Sequence, residues 1–473
     1  MLNVADVIES LCDFHVEGES HPLMGGVVDS RQAYTDCIFI ALPGEHQDGH
    51  DFIGEAFANG AYLAITQMAL DLDFPQIDLR NPKDLKNIQV PEGRFCLLVN
   101  DSLVSLQQIA RFWRKKFDLK VIGITGSVGK STTKELVAEV LSQRFATLKN
   151  QGNLNNEIGL PLSILSINEH HQRAVLEMGF YVPGEIALLC DIALPQIGVI
   201  TNIGTVHAER AGSQAEIVRG KSELVESLPP APDGIAILNY DDPLVKDMAS
   251  KTEAKVFFYG LDPRCDLWAD HIESLGLDGI RFRLHFHNEV IHLRVPLIGR
   301  HSVHTVLRAA AVGLVDGLTW QEIVGGLRSE QAQLRLVTVH TPNGALILDD
   351  TYNASPESTL AALNLLDELN GRKIAVLGDM LELGPYERQG HEMVGARSAE
   401  VVDLLITVGS RARMIAEAAR LSGLSPHSIL EMDEVMEVTE YLKDKLLPGD
   451  VVLVKGSHGM RMDRIVIGLE VRS

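Results

Sequence analysis

Short apolar runs, many of them β-branched, recur along the whole chain with helix-period segments between them. Over residues 1 to about 100 the runs are broken by Gly, Pro and Asp turns. CIFIAL (37–42) and AYLAI (61–65) predict strands, and DGHDFIGEAFANG between them predicts a short helix. From about residue 118 the alternation becomes regular. KVIGITG (120–126) ends a strand in glycine, and KSTTKELVAEVLSQ (130–143) follows with helical spacing. AVLEMG (174–179), IGVITNIG (197–204) and GIAILN (234–239) predict further buried strands. Continuous apolar strands alternating with helices predict a parallel, doubly wound sheet. The runs KVFFYG, IRFRLHF and VIHLRV within 255–297 predict an antiparallel appendage. ALILDD (345–350), KIAVLGDM (373–380), DLLITVG (403–409) and DVVLVKGS (450–457) predict a second Rossmann-like domain, with the polar SEQAQ (329–333) as linker. The expected fold class is α/β in three domains: a small α/β domain over 1–100, a central doubly wound domain over 101–335 and a Rossmann-like domain over 336–473.

Charge narrows the choice of partners. Of 473 residues, 42 are Lys or Arg and 64 are Asp or Glu, so 42 − 64 gives −22. A chain this acidic, with 5% aromatic residues, is a poor non-specific nucleic-acid binder. Any anionic ligand must be held by local positive groups. The five cysteines (12, 37, 96, 190, 265) form no CxxC pair, which fits a reducing compartment. The N-terminal segment lacks the pattern of a signal peptide, and no uncharged apolar run spans a bilayer. The expectation is a cytoplasmic protein with no nucleic-acid partner and no membrane insertion.

The sharpest local feature is Thr125-Gly126-Ser127-Val128-Gly129-Lys130-Ser131-Thr132. It leaves a strand and opens a helix, the setting in which backbone N–H groups bind phosphate. Lys130 would neutralise the β/γ phosphates, and Ser131 would offer a hydroxyl to Mg²⁺. Ile124 stands where the longer GxxxxGK[ST] pattern has glycine, so the match is to a shorter GxxGKS loop. Glu177 and His207 follow predicted strands at the carboxyl edge of the same sheet, where open α/β sheets bind ligands. Each alone is also an ordinary structural residue. Lys221 falls on the apolar stripe of SQAEIVRGKSELVESL (213–228), beside Ile217 and Leu224. It either snorkels to water or is desolvated, and a neutral amine can add CO₂ to become an oxygen ligand for Mg²⁺. Arg111, Arg114, Lys115 and Lys116 predict a solvated helix face. His170-His171 has no second ligand pair at metal spacing, and Trp113, Trp268 and Trp320 are scattered as core or interface residues would be.

Together these motifs resemble the Mur ligases of peptidoglycan synthesis, over nearly the whole chain and in order. Asp29-Ser30-Arg31 and FIALPGEHQDGHDFI (39–53) match the family's UDP-sugar region. TGSVGKST matches its phosphate loop, and Asn155-Asn156-Glu157-Ile158-Gly159 its NNxIG segment. Asp349-Asp350-Thr351-Tyr352-Asn353-Ala354-Ser355-Pro356 resembles DDxYNANP, Leu377 to Gly384 resembles LGDMxELG, and Val454-Lys455-Gly456-Ser457 matches VKGS. The last three are similar to the family branch that adds D-alanyl-D-alanine to UDP-N-acetylmuramoyl-tripeptide. The chain departs at Gly299-Arg300-His301-Ser302-Val303-His304-Thr305, where the family's GRHNxxN carries asparagines near the adenine.

The resemblance implies ATP and two Mg²⁺ ions, an acyl-phosphate intermediate, UDP-N-acetylmuramoyl-tripeptide and D-alanyl-D-alanine as substrates, and a role in peptidoglycan precursor synthesis; it also implies a monomer. It places ATP contacts at residues 125–132, Asn156, Thr305, Arg335, Asp350 and Asn353. It places metal ligands at Ser131, Glu177, His207 and carbamylated Lys221, with Lys130, Glu177, His207 and Lys221 catalytic. UDP-substrate contacts fall on Ser30, Arg31 and Asn155, and the incoming dipeptide on the third domain. Folylpolyglutamate synthase and cyanophycin synthetase share the central ATPase, but DGHDFI and LGDMLELG count against both. A nucleotide-binding homologue without turnover has only the altered GRHSVHT segment in its favour. A P-loop kinase or GTPase leaves the first domain unexplained.

Overall fold

The computed structural model describes residues 1–12, 20–44, 47–71, 73–80, 90–204, 208–329 and 337–470. They form two compact units. The first comprises Met1–Gly123, Phe145–Gly179 and Gly184–Ile197, and the second Ile124–Arg144, Phe180–Pro183 and Gly198–Ser473.

The first unit opens with five parallel strands: β1 (Gly26–Val27), β2 (Ile38–Ile40), β3 (Leu63–Thr66), β4 (Gln76–Asp78) and β5 (Phe95–Leu98), in the spatial order β1-β2-β3-β5-β4. Phe39, Phe57, Ile53 and Ala64 are fully buried around the sheet, which is why its short runs lack a polar alternation. The helix Ser102–Lys115 follows, capped by Asp101, whose carboxylate accepts the Val104 N–H at 2.9 Å. Arg111, Lys115 and Lys116 of its basic run are exposed, as expected of a solvated face, and only Arg114 departs from it. Arg114 is buried and donates to the carbonyls of Ala193, Phe117 and Leu119, each at 2.9 Å. Three main-chain acceptors replace the water that a guanidinium would otherwise need. Arg111 pairs with Asp191, and Lys116 with Asp6. The unit also holds β7 (Thr147–Lys149) and β8 (Arg173–Glu177), paired in parallel, and the start of β6 (Lys120–Thr125) next to β8.

In the second unit the strand order runs β14-β13-β12-β11-β10-β9-β6, with β9 (Ile197–Ile200), β10 (Ile235–Asn239), β11 (Lys255–Gly260), β12 (Leu267–Ser274), β13 (Ile280–Phe286) and β14 (Glu289–Val295). The expected antiparallel appendage begins later than its sequence suggested. β11 is parallel to β10 and to β12, and only β12-β13-β14 form an antiparallel meander. A connection from Asn239 to Lys255 that carries its own short helix leaves room for a parallel return.

The same unit contains a six-stranded sheet ordered β15-β16-β20-β17-β18-β19. Its strands are β15 (Val337–His340), β16 (Leu346–Asp350), β17 (Lys373–Gly378), β18 (Leu404–Val408), β19 (Ile429–Met432) and β20 (Val451–Lys455). Only β15 runs antiparallel. Apolar layers cover both faces, which explains why β18 and β20 are buried at every position. This is the doubly wound, Rossmann-like pattern expected from the strand–helix alternation. Among the described residues no helix is long and apolar enough to cross a membrane.

Candidate active site

The segment 125–132 joins β6 to the helix Lys130–Leu141. Thr125, the last residue of β6, is fully buried, and its carbonyl accepts the Thr201 N–H at 2.9 Å. Gly126 follows with φ of +142°. A Cβ there would lie 1.8 Å from Thr201 Oγ1, so no other residue fits. Asn202 then fixes the loop. Its carbonyl accepts the Ser127 N–H at 2.9 Å, and its side-chain oxygen accepts the Val128 N–H at 2.9 Å. Ser127 Oγ accepts the Gly204 N–H, and Thr201 Oγ1 donates to the Val128 carbonyl, both at 2.8 Å. Gly129, at φ +81°, is the N-cap and offers no capping side chain. No N-cap side chain takes up the first N–H groups of the helix, whose start is its positive end.

Two lysines converge on this turn. Lys130 Nζ donates to the carbonyls of Gly126 at 2.9 Å and Ser127 at 3.2 Å. Lys221, from the helix Gln214–Glu226, donates to the same Gly126 carbonyl at 3.0 Å and lies 4.7 Å from the centre of the Phe180 ring. That helix starts at Ser213, which caps the Glu216 N–H, and its apolar stripe carries Lys221 inward. Lys221 is 1% exposed, so it does not snorkel to water. Burial, reinforced by the charge of Lys130, pushes its pKa well below the ordinary lysine value. Loss of the proton, which gives the form that reacts with CO₂, is thus made easier. Ser131 and Thr132 occupy the helix's first turn.

Glu177 ends β8, in the first unit, and is 3% exposed. Asn155 Nδ2 donates to its Oε1 at 2.8 Å, and Asn150 brackets its main chain from both sides. Asn156, expected at the nucleotide, turns its side-chain oxygen to the Gly159 N–H at 2.9 Å, opening the helix Gly159–Leu165. Ser30 donates to Glu55 Oε2 at 2.7 Å, while Arg31 is exposed and paired with Asp29. The guanidinium holds the Asp29 carboxyl below its usual range.

Three motifs meet at one edge of the six-stranded sheet. Asp349–Pro356 leaves β16, Leu377–Gly384 leaves β17 and Val454–Ser457 leaves β20, and these are neighbouring parallel strands. Lys455 Nζ donates to Asp350 Oδ2 at 2.6 Å and to the Asn353 carbonyl at 2.8 Å. Leu381 N–H donates to Ser457 Oγ at 2.8 Å. Ser355 caps the helix Pro356–Glu368. A Cβ added to Gly204 would lie 2.7 Å from Glu357 Oε1 on that helix, so this sheet reaches the neighbourhood of the phosphate loop.

His207 and Arg335 lie outside the described residues. Among the described residues no group of three His, Cys, Asp or Glu side chains is gathered for a metal. Sequence reasoning missed Asn202, Asn150 and Arg308. Thr305, expected at the nucleotide, is buried and accepts a hydrogen bond from Arg308 Nη2 at 2.8 Å. A signal for Arg308 was present, because it interrupts the apolar helix Ser302–Val315.

The chain is similar to known proteins along most of its length. The Mur ligase middle domain matches residues 124–313, and the domain described as "Mur ligase, glutamate ligase domain" matches residues 334–458. The UDP-N-acetylmuramoyl-tripeptide–D-alanyl-D-alanine ligase of Synechocystis sp. is 36% identical over 93% of this chain and 90% of its own length. The crystal structure of MurF from Acinetobacter baumannii superimposes with a TM-score of 0.85 at 30% identity, covering 98% of each chain. MurF ligase from Thermotoga maritima in complex with ADP gives a TM-score of 0.77 at 28% identity, covering 94% of this chain and 96% of that one. On this identity and coverage, and with both domain matches in order, the chain belongs to the Mur ligase family.

Proposed function

We propose that this chain joins D-alanyl-D-alanine to UDP-N-acetylmuramoyl-tripeptide, with ATP converted to ADP and phosphate, in peptidoglycan precursor synthesis. The observation that carries the reading is the convergence of Lys130 and Lys221 on the Gly126 carbonyl, beside the uncapped start of a helix. Such a turn grips the terminal phosphates of a nucleotide. Because Asn202 takes up the N–H groups of Ser127 and Val128, the main-chain cradle narrows to Gly129 and the first helical turn.

A carboxylate is a poor electrophile. In the proposed reaction a carboxylate oxygen of the tripeptide attacks the γ-phosphorus, and the bond to the ADP oxygen breaks. The resulting acyl phosphate is attacked at its carbonyl carbon by the neutral amine of the dipeptide. The carbon–oxygen bond to phosphate then breaks, and the amine proton passes to solvent. Anionic groups crowd together in both steps, so alignment and positive charge do most of the work. Lys130 faces the β/γ phosphates. Arg335, Asp350 and Asn353 complete the nucleotide site, Asn156 and Thr305 contribute to it, and Ser30, Arg31 and Asn155 serve the UDP substrate.

The donor set fits Mg²⁺. The Ser131 hydroxyl and the Glu177 carboxylate are hard oxygen donors. The buried Lys221 amine can add CO₂, forming an N–C bond and releasing one proton, to give a third. Two ions held by Ser131, Glu177, His207 and carbamylated Lys221 would supply charge neutralisation between phosphate oxygens. The reading includes a cytoplasmic monomer in three domains, 1–100 for the UDP-sugar, 101–335 for ATP and 336–473 for the dipeptide.

One assay tests the proposal. The protein is incubated with ATP, Mg²⁺, UDP-muramoyl-tripeptide and D-alanyl-D-alanine, and ADP and the pentapeptide product are followed by mass spectrometry. The expected result is product and ADP in equal amounts, both requiring the dipeptide. ADP without pentapeptide, or neither, sinks it.

A further inference from the structure

The helix Ser302–Val315 is apolar along most of its length, yet Arg308 sits in its middle and is 4% exposed. Its Nε donates to Thr133 Oγ1 at 2.9 Å, its Nη2 to Thr305 Oγ1 at 2.8 Å and its Nη1 to the Tyr259 hydroxyl at 3.3 Å. All three acceptors are uncharged. Among the described residues no carboxylate pairs with it. The same Nη2 would stand 3.3 Å from a Cβ added to Gly129. The guanidinium is therefore packed against the N-cap and the first turns of the phosphate-loop helix.

This is an expensive place for a cation. A buried charge without a counter-charge is unfavourable, and the start of a helix is itself positive. Lys221 can respond to a similar setting by giving up its proton, but an arginine cannot. Packing alone does not call for a charge on this helix, since an unbranched apolar side chain would fill the same volume. A bound polyphosphate would supply the missing negative charge. The loop's basic side chains then divide by position: Lys130 and Lys221 stand at Gly126, and Arg308 stands at Gly129, three residues along.

We propose that Arg308 is a positioning residue for the nucleotide. Through Thr133 and Gly129 it sets the first turn of the helix, and it lends fixed positive charge to the phosphates nearer the nucleoside, while Lys130 serves the terminal ones. The proposal rests on the reading of residues 126–131 as a phosphate loop.

The test compares ADP, by calorimetry, with adenosine, by ligand-observed NMR, on the full chain. Arg308→Met is expected to weaken ADP at least about tenfold, the scale of one charge contact in a partly screened site, and to leave adenosine within about twofold. Arg308→Lys keeps the charge and is expected to hold ADP within about threefold of the parent. A smaller loss of ADP in Arg308→Met, or an equal loss of adenosine, overturns the proposal, because a merely structural arginine would not separate the two ligands. Should Arg308→Met fail to fold, Arg308→Lys decides: retained ADP affinity supports the charge role, and loss beyond about threefold overturns it. Lys130→Ala separates the two levels of the argument. If ADP binding is unchanged there, the loop reading itself falls. If it weakens there but not in Arg308→Met, only the role of Arg308 falls.

Discussion

Lys221 and Arg308 at the phosphate loop, and Lys455 at the edge of the last sheet, are all buried basic side chains near the carboxyl ends of parallel strands. They are satisfied in opposite ways. Lys455 has a carboxylate, Asp350, at 2.6 Å and a carbonyl at 2.8 Å. Lys221 and Arg308 donate only to carbonyl or hydroxyl oxygens, and among the described residues neither has a carboxylate partner. A paired buried ion holds a local structure together, whereas an unpaired one is either pushed toward its neutral form, as Lys221 is, or, as at Arg308, leaves charge available to something that arrives. On this contrast the last sheet is internally balanced, while the middle sheet is built for an anion.

The largest expected effect is at Lys130. Lys130→Ala should reduce turnover by at least about a thousandfold, because charge developing on the transferred phosphoryl group loses its partner. Steady-state ADP release measures this, and near-parent activity would erase the contrast. Lys221→Ala should cost on the order of a hundredfold, with partial recovery on adding short-chain carboxylates that replace the carbamate oxygens. Full activity without them refutes the carbamate. Stability gives a second view of Lys221. Its folded pKa is depressed, so between that value and 10.5 the unfolded chain binds a proton that the folded chain does not. Stability must therefore rise with pH through this window. In CO₂-free buffer, Lys221→Met should remove that rise, as urea melts at pH 7 and pH 10 would show; identical pH slopes in the two proteins would contradict a neutral Lys221.

The strands and the loop were legible because each has a local cause. KVIGITG and VVLVK carry unbroken apolar cores, VIGI and VVLV, as strands covered on both faces must, and GSVGKST carries the two glycines that its turn requires. What was not legible depended on distant partners. Arg114 looks like one more base in a solvated run until the carbonyls of Ala193 and Leu119 are brought beneath it. The parallel placement of β11 depends on the path of the chain after Asn239, which strand patterns do not encode. Asn202 is an ordinary polar residue after a strand, and only the fold sets it against Ser127 and Val128. Lys221 lay between the two cases: its stripe position suggested burial, but only the packing of Phe180 and the Gly126 carbonyl decided it.

The smallest expected effect is at Lys455, and it is the one that most directly tests the difference between the regions. Lys455→Met removes one partner of the Asp350 carboxylate. Asp350 is partly open to solvent, with 18% of its side chain exposed, so water can recover some of the loss. A destabilisation of about 2 kcal/mol in a urea melt is expected, below the usual range for breaking a fully buried pair. If the two charges chiefly answer each other, Asp350→Asn should cost a similar amount alone and little more in the Lys455→Met background, because the interaction is already gone. Costs that simply add would mean that Lys455 is balanced by something other than Asp350. The last sheet would then hold an uncommitted cation too, and the distinction between a closed electrostatic circuit there and an open one at Gly126 would disappear.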